Sequence, residues 1–197
     1  STITEEFAAN EYETYILVDF AACSAEIRDL FNDVSDLNRI FMRLQFEYGV
    51  ELKERKSVII FDEVQLAPKA RQAIKYLVKD GRYDYIETGS LISIRKNVKD
   101  ILIPSEETKL YMYPMDYEEF RWALGDTATI KLLQGCFRDR TSLGDATNRK
   151  LMRDFRLYML VGGMPQAVAS YLETNNLEKV DSVKRSVITL YEDDFNK

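Results

Sequence analysis

The chain has 197 residues, 46% hydrophobic and 30% charged, with a formal net charge of -6, a composition typical of globular proteins with room for one substantial core and a small appended lid. There is no basic excess to favour nucleic acid or an anionic membrane, no apolar run long enough to span a bilayer, and Cys23 and Cys136 lack disulfide-framework or zinc-knuckle spacing, which points to a reducing cytoplasm. Histidine is absent, so hydrolases that need an imidazole base or a histidine ligand are excluded for this stretch of chain.

Residues 1–10 carry Ile3 and Phe7 on one face with acids in the first turns, and predict a helix. The short apolar run 15–20, with Asp19 near its end, predicts a strand. Leu37, Ile40, Phe41, Leu44 and Tyr48 then recur at helical spacing and predict a helix crossing to the next strand. That strand is the run 57–61, Ser-Val-Ile-Ile-Phe, too short and too β-branched for a helix, with Asp62 and Glu63 directly behind it. It reads as the central strand of a parallel sheet, buried on both faces, with two acids at its carboxyl end. In open α/β sheets, ligands sit beyond those ends. One acid to hold a metal and one to handle a proton match what nucleotide hydrolysis needs, and the pair reads as a Walker B element. The plainer alternative makes Asp62 a helix N-cap ahead of Pro68.

Pro68 suits the first turn of a new helix, with Ala70, Ile74, Leu77 and Val78 facing inward and Asp80-Gly81 ending it. Residues 84–87 predict a strand leading into Thr88-Gly89-Ser90. Those hydroxyls are placed to touch a terminal phosphate, or equally to form a strand-to-helix turn capped by Ser90. A fourth apolar strand is expected at 109–113, ahead of Pro114. From there Asp116 and Glu119 have capping-box spacing before a helix carrying Tyr117, Phe120 and Leu124. Further helices follow at 127–137, 146–160, 165–173 and 177–195, with Gly162-Gly163 stopping one and Pro165 starting the next. The fold class is α/β: a parallel sheet flanked by helices over residues 1–114, followed by an all-helical lid over 115–197.

Taken in order, several segments resemble the prokaryotic AAA-superfamily P-loop ATPases. They are Phe61-Asp62-Glu63-Val64-Gln65 with Pro68; Thr88-Gly89-Ser90; Tyr113-Pro114-Met115 with Glu118-Glu119-Phe120; and Gly162-Gly163-Met164-Pro165 with Ala167-Val168. The closest group is the one in which an AAA domain precedes a C-terminal domain of nuclease-like fold, and the resemblance covers nearly the whole chain. It implies ATP binding and hydrolysis with Mg2+ on a P-loop NTPase-like sheet. Asp62 would hold magnesium through water, Glu63 would orient or deprotonate the attacking water, and Thr88 or Ser90 would sense the terminal phosphate.

The departure from the family pattern is a P-loop: no Gly-x-x-x-x-Gly-Lys-Ser/Thr occurs in the chain. Similar family members run Gly-Lys-Thr-Thr into the helix that this chain enters as Ser1-Thr2-Ile3-Thr4. Ser1 therefore aligns with the magnesium-binding hydroxyl, with Thr2 beside it at the nucleotide, unless Ser1 is a cloning scar. On that reading the sequence is a middle piece of a longer protein, lacking the first strand and the P-loop, and by itself binds ATP poorly.

Arg138, Arg140 or Arg95-Lys96 could supply an arginine finger to a neighbour, against the commoner reading of a solvated helix face. Trp122 with Phe120 reads as lid packing, and Glu192-Asp193-Asp194 as an exposed acidic tail. Two functional classes follow. One is a nucleotide-driven switch ATPase, with ATP, other copies of itself and a further protein as partners. The other is a scaffold that keeps the fold without turnover and serves an attached effector domain.

Overall fold

The structure, a computed structural model, describes residues 2–89 and 107–195. Ser1, Ser90, Arg95 and Lys96 lie outside the described residues. The chain divides into two compact units, Ser1–Lys109 and Leu110–Lys197.

In the first unit, helix α1 (Thr2–Glu11) leads into strand β1 (Thr14–Asp19). A short helix α2 (Ala25–Asp29) and a 3-10 turn follow, and helix α3 (Leu37–Tyr48) crosses to strand β2 (Ser57–Asp62). Helix α4 (Pro68–Asp80) connects β2 to β3 (Asp84–Glu87). The strands form a parallel sheet in the order β1-β2-β3, with Asp19 opposite Asp62 and Phe61 opposite Glu87. The middle place of β2 follows from its sequence: Val58, Ile59, Ile60 and Phe61 are all fully buried, and a strand covered on both faces has no room for polar alternation.

The two faces of the sheet are covered differently. Ile59 and Phe61 join Ile16, Val18 and Phe20 in a large core with the inner faces of α3 and α4, including Ile40, Leu44, Ile74 and Leu77. On the opposite face Val58 and Ile60 pack with Ala8 of α1. Phe20, Phe31 and Phe61 stack at ring centroid distances of 5.2–5.9 Å, an aromatic cluster that fixes the chain directly behind Asp62. Helix boundaries follow local chemistry. Asp36 caps α3 through its bond from the Arg39 N–H at 3.1 Å. Pro68 opens α4, and Gly81 closes it at φ 77°.

The strand expected at 109–113 does not form: these residues have no regular structure, with Leu110 87% and Tyr113 78% exposed. An apolar, β-prone run becomes a strand only where a neighbouring strand takes its backbone groups, and among the described residues none pairs with it.

The described part of the second unit is helical: α5 (Tyr117–Ala123), α6 (Thr129–Asp139), α7 (Asp145–Val161), α8 (Pro165–Thr174) and α9 (Leu177–Phe195). Its small core consists of Phe120, Val161, Ala167, Val168 and Val180. The capping box of α5 is complete, with Asp116 and Glu119 exchanging bonds of 2.9 Å. The Met115 N–H donates to the Gly163 carbonyl at 2.7 Å and the Tyr158 hydroxyl to the Met115 carbonyl at 2.9 Å. The backbones approach so closely there that a Cβ on Gly163 would lie 2.1 Å from the Met115 oxygen. Buried Arg121 ties α5 to Asp154 at 2.9 Å and to Asp126. Trp122, expected to pack with Phe120, is instead 52% exposed, because its neighbours Phe120 and Arg121 take the inward positions on so short a helix.

Candidate functional site

The carboxyl ends of β2 and β3 bring three of the expected residues together. Asp62 ends β2, and the Thr88 hydroxyl, just past β3, donates to its carboxylate. Backbone bonds hold the same two tips in register: the Thr88 N–H donates to the Phe61 carbonyl at 2.9 Å, and the Val64 N–H to the Thr88 carbonyl at 3.1 Å. Burial acts to raise the Asp62 carboxyl. The hydrogen bond from Thr88 acts the other way and favours the ionised form.

Glu63 leaves the strand in the left-handed conformation, at φ 55° and ψ 42°. For a residue with a Cβ this costs on the order of 1–2 kcal/mol, and such strain persists only where the surroundings hold it. Here the Gln65 side-chain amide donates to the Glu63 carboxylate and the chain continues into the 3-10 turn Val64–Leu66. The turn swings Glu63 out of the ladder beside Asp62. The alternative reading of Asp62 as a helix cap fails, since Ala67 occupies the N-cap of α4 and makes no side-chain capping bond.

Thr2 is the exposed first residue of α1 and makes no hydrogen bond to Asp62, Glu63 or Thr88. Asp19, the acid at the end of β1, accepts the Ala21 N–H at 2.8 Å and shapes the turn after the strand. Two features escaped the sequence reading. Gln65 carries no role in the sequence, where only its two-residue spacing from Glu63 hints at a support. The other is the buried Arg71 of α4, 3.4 Å from both Glu87 and Glu107. Their separation of 16 and 36 residues in sequence from Arg71 gave no local signal.

No group of three or more His, Cys, Asp or Glu side chains placed to hold a metal occurs among the described residues. One or two carboxylates at a strand tip do suit a cation that keeps most of its waters and takes its remaining ligands from a phosphorylated substrate.

A family model described as an AAA domain matches residues 1–121. The chain belongs to that AAA domain family. The AAA domain is a nucleotide-binding type of domain, and the match runs from α1 through the sheet into α5. A second model, a domain of unknown function (DUF8612), matches residues 152–197. No curated protein and no solved structure matches the chain. No helix among the described residues of the AAA domain or of the helical unit is long and apolar enough to cross a membrane.

Of the other residues weighed from sequence, Arg138 is highly exposed and pairs with its neighbour Asp139 at 3.3 Å, as on a solvated face. Glu192 and Asp193 are exposed on α9.

Proposed function

We propose that the AAA domain binds ATP with Mg2+ at the carboxyl ends of β2 and β3, hydrolyses it there, and acts as a nucleotide-driven switch in the cytoplasm. The observation that carries this reading is the Thr88 hydroxyl bond to Asp62 at the tip of the central strand, with Glu63 turned out beside it. Asp62 stays ionised at neutral pH, as a carboxylate that holds magnesium through water requires. When bound, magnesium would neutralise charge on the phosphates. Glu63 accepts the proton of the attacking water, and Gln65 keeps its carboxylate aimed. Thr88 orients Asp62 and reads the terminal phosphate, with Ser90 as its alternate. Ser1 and Thr2 stand on the phosphate side of the nucleotide by their place in the resemblance, Ser1 as the further magnesium ligand. Residues 115–197 serve as the lid.

The test is ATP turnover by the natural protein carrying these residues. Glu63→Gln retains magnesium-dependent ATP binding and loses turnover by on the order of 100-fold or more. Hydrolysis at the parental rate contradicts the role of Glu63. Absence of hydrolysis in the parent as well would favour the scaffold class instead.

A further inference from the structure

Among the described residues β1 is an edge strand. The register places Thr14 opposite Ser57, and the Phe20 N–H donates to the Asp62 carbonyl at 3.0 Å. Successive residues of a strand turn their main-chain groups to opposite sides, so in phase with Phe20 those of Ile16 and Val18 face β2 and those of Tyr15 and Leu17 face outward. Among the described residues nothing bonds the outward N–H and C=O groups of Tyr15 and Leu17. Natural sheets guard such an edge with lysine, proline, a bulge or a covering element, and β1, Thr-Tyr-Ile-Leu-Val-Asp, contains neither lysine nor proline.

Two clefts flank this edge, of about 570 Å³ and 300 Å³, and share Leu17 and Tyr48. The larger runs between α1 and β1 past Ala9, Tyr12 and Val50, and the smaller continues past Cys23 toward Asp19. Together they follow the strand, the larger with mostly apolar walls and the smaller with mostly polar ones, and with unpaired backbone at the base. Its charge has one sign. Glu5, Glu13, Asp19 and Glu47 line it, and no lysine or arginine does. Of these acids Glu13 is neutralised by Lys53 at 2.9 Å and Lys56 at 2.5 Å, whereas Glu5, Asp19 and Glu47 form no ion pair among the described residues.

We infer that the outer edge of β1 is a docking site for an extended, basic segment of a partner protein, which adds to the sheet as a strand beside β1. Main-chain bonds to Tyr15 and Leu17 hold the segment, alternate apolar side chains fill the two clefts, and lysine or arginine meets Glu47, Asp19 and Glu5. The site lies on the strand farthest from β3 and uses none of Asp62, Glu63 or Thr88.

The probe is the capped peptide Lys-Val-Lys-Val-Thr-Val-Lys, compared with the same peptide carrying glutamate for lysine and with two versions N-methylated at alternate residues in opposite phases. The basic peptide binds and slows hydrogen exchange at the Tyr15 and Leu17 amides. The acidic peptide binds at least about tenfold more weakly, and Glu47→Lys narrows or reverses that preference. One N-methylated phase fails and the other binds, because only one edge of the added strand pairs with β1. The inference is overturned if no peptide binds at millimolar concentration, if both methylated phases bind alike, or if the protected amides lie elsewhere. Concentration-dependent dimerisation that protects Tyr15 and Leu17 without peptide also overturns it, by assigning the edge to a second copy of the chain.

Discussion

The Thr88 hydroxyl donates to the Asp62 carboxylate across the tips of two neighbouring parallel strands. A hydrogen bond to a charged group contributes about 1.5–3 kcal/mol, and here it also favours the ionised form and fixes the direction of the acid on which the proposed chemistry rests. Thr88→Val therefore raises the Asp62 carboxyl pKa, followed by carbon-detected NMR titration, and slows ATP turnover. Thr88→Ser restores both. An Asp62 titration unchanged in Thr88→Val would show that the bond does not set the acid's charge state.

Glu87, one residue before Thr88, gives a pH signature. Burial pushes its carboxyl from 4.5 up to about 7; Arg71 pulls it back and Glu107 pushes it further. The folded protein holds this proton more tightly than the unfolded chain does. The resulting stability is full below the unfolded value of 4.5 and is lost as pH rises through about 7. Glu87→Gln matches the parent in thermal unfolding at low pH and exceeds it above neutrality by on the order of 2 kcal/mol. A constant difference across that window would contradict the assignment.

In the helical unit, Gly163 sits where any side chain meets backbone, 2.1 Å from the Met115 oxygen. Gly163→Ala must push apart the strap 115 and the α7–α8 turn, breaking the 2.7 Å bond from the Met115 N–H. Overpacking of this kind costs about 1–3 kcal/mol, with the upper end expected because the obstacle is main chain. Denaturant unfolding followed by the Trp122 fluorescence measures it, and a neutral result would refute the close approach.

Much of the α/β unit was legible because its signals are local. The run Ser57 to Phe61 could only be a strand buried on both faces, Pro68 and Gly81 bracket α4, and Leu37 to Tyr48 shows helical periodicity throughout. The Asp62-Glu63 pair stood out for the same reason. The run 109–113 misled because β-propensity reports fitness for a pleated surface and says nothing about whether a neighbouring strand is present. Trp122 misled because a two-turn helix leaves few inward positions, and Arg121 takes one for its acids Asp126 and Asp154. The left-handed turn at Glu63 had no sequence signal, since that conformation usually selects glycine or asparagine. The Arg71 link to Glu87 and Glu107 depends on tertiary placement alone.

The proposed site has magnesium and a triphosphate against Asp62, Glu63 and Thr88. Manganese can stand in for magnesium, and its unpaired electrons broaden nearby amide resonances. With ATP and Mn2+ added to the natural protein, the amides of Asp62, Glu63 and Thr88 are expected to broaden first, and Asp62→Asn to remove the effect. Broadening centred away from the β2 and β3 tips, or undiminished in Asp62→Asn, would contradict it.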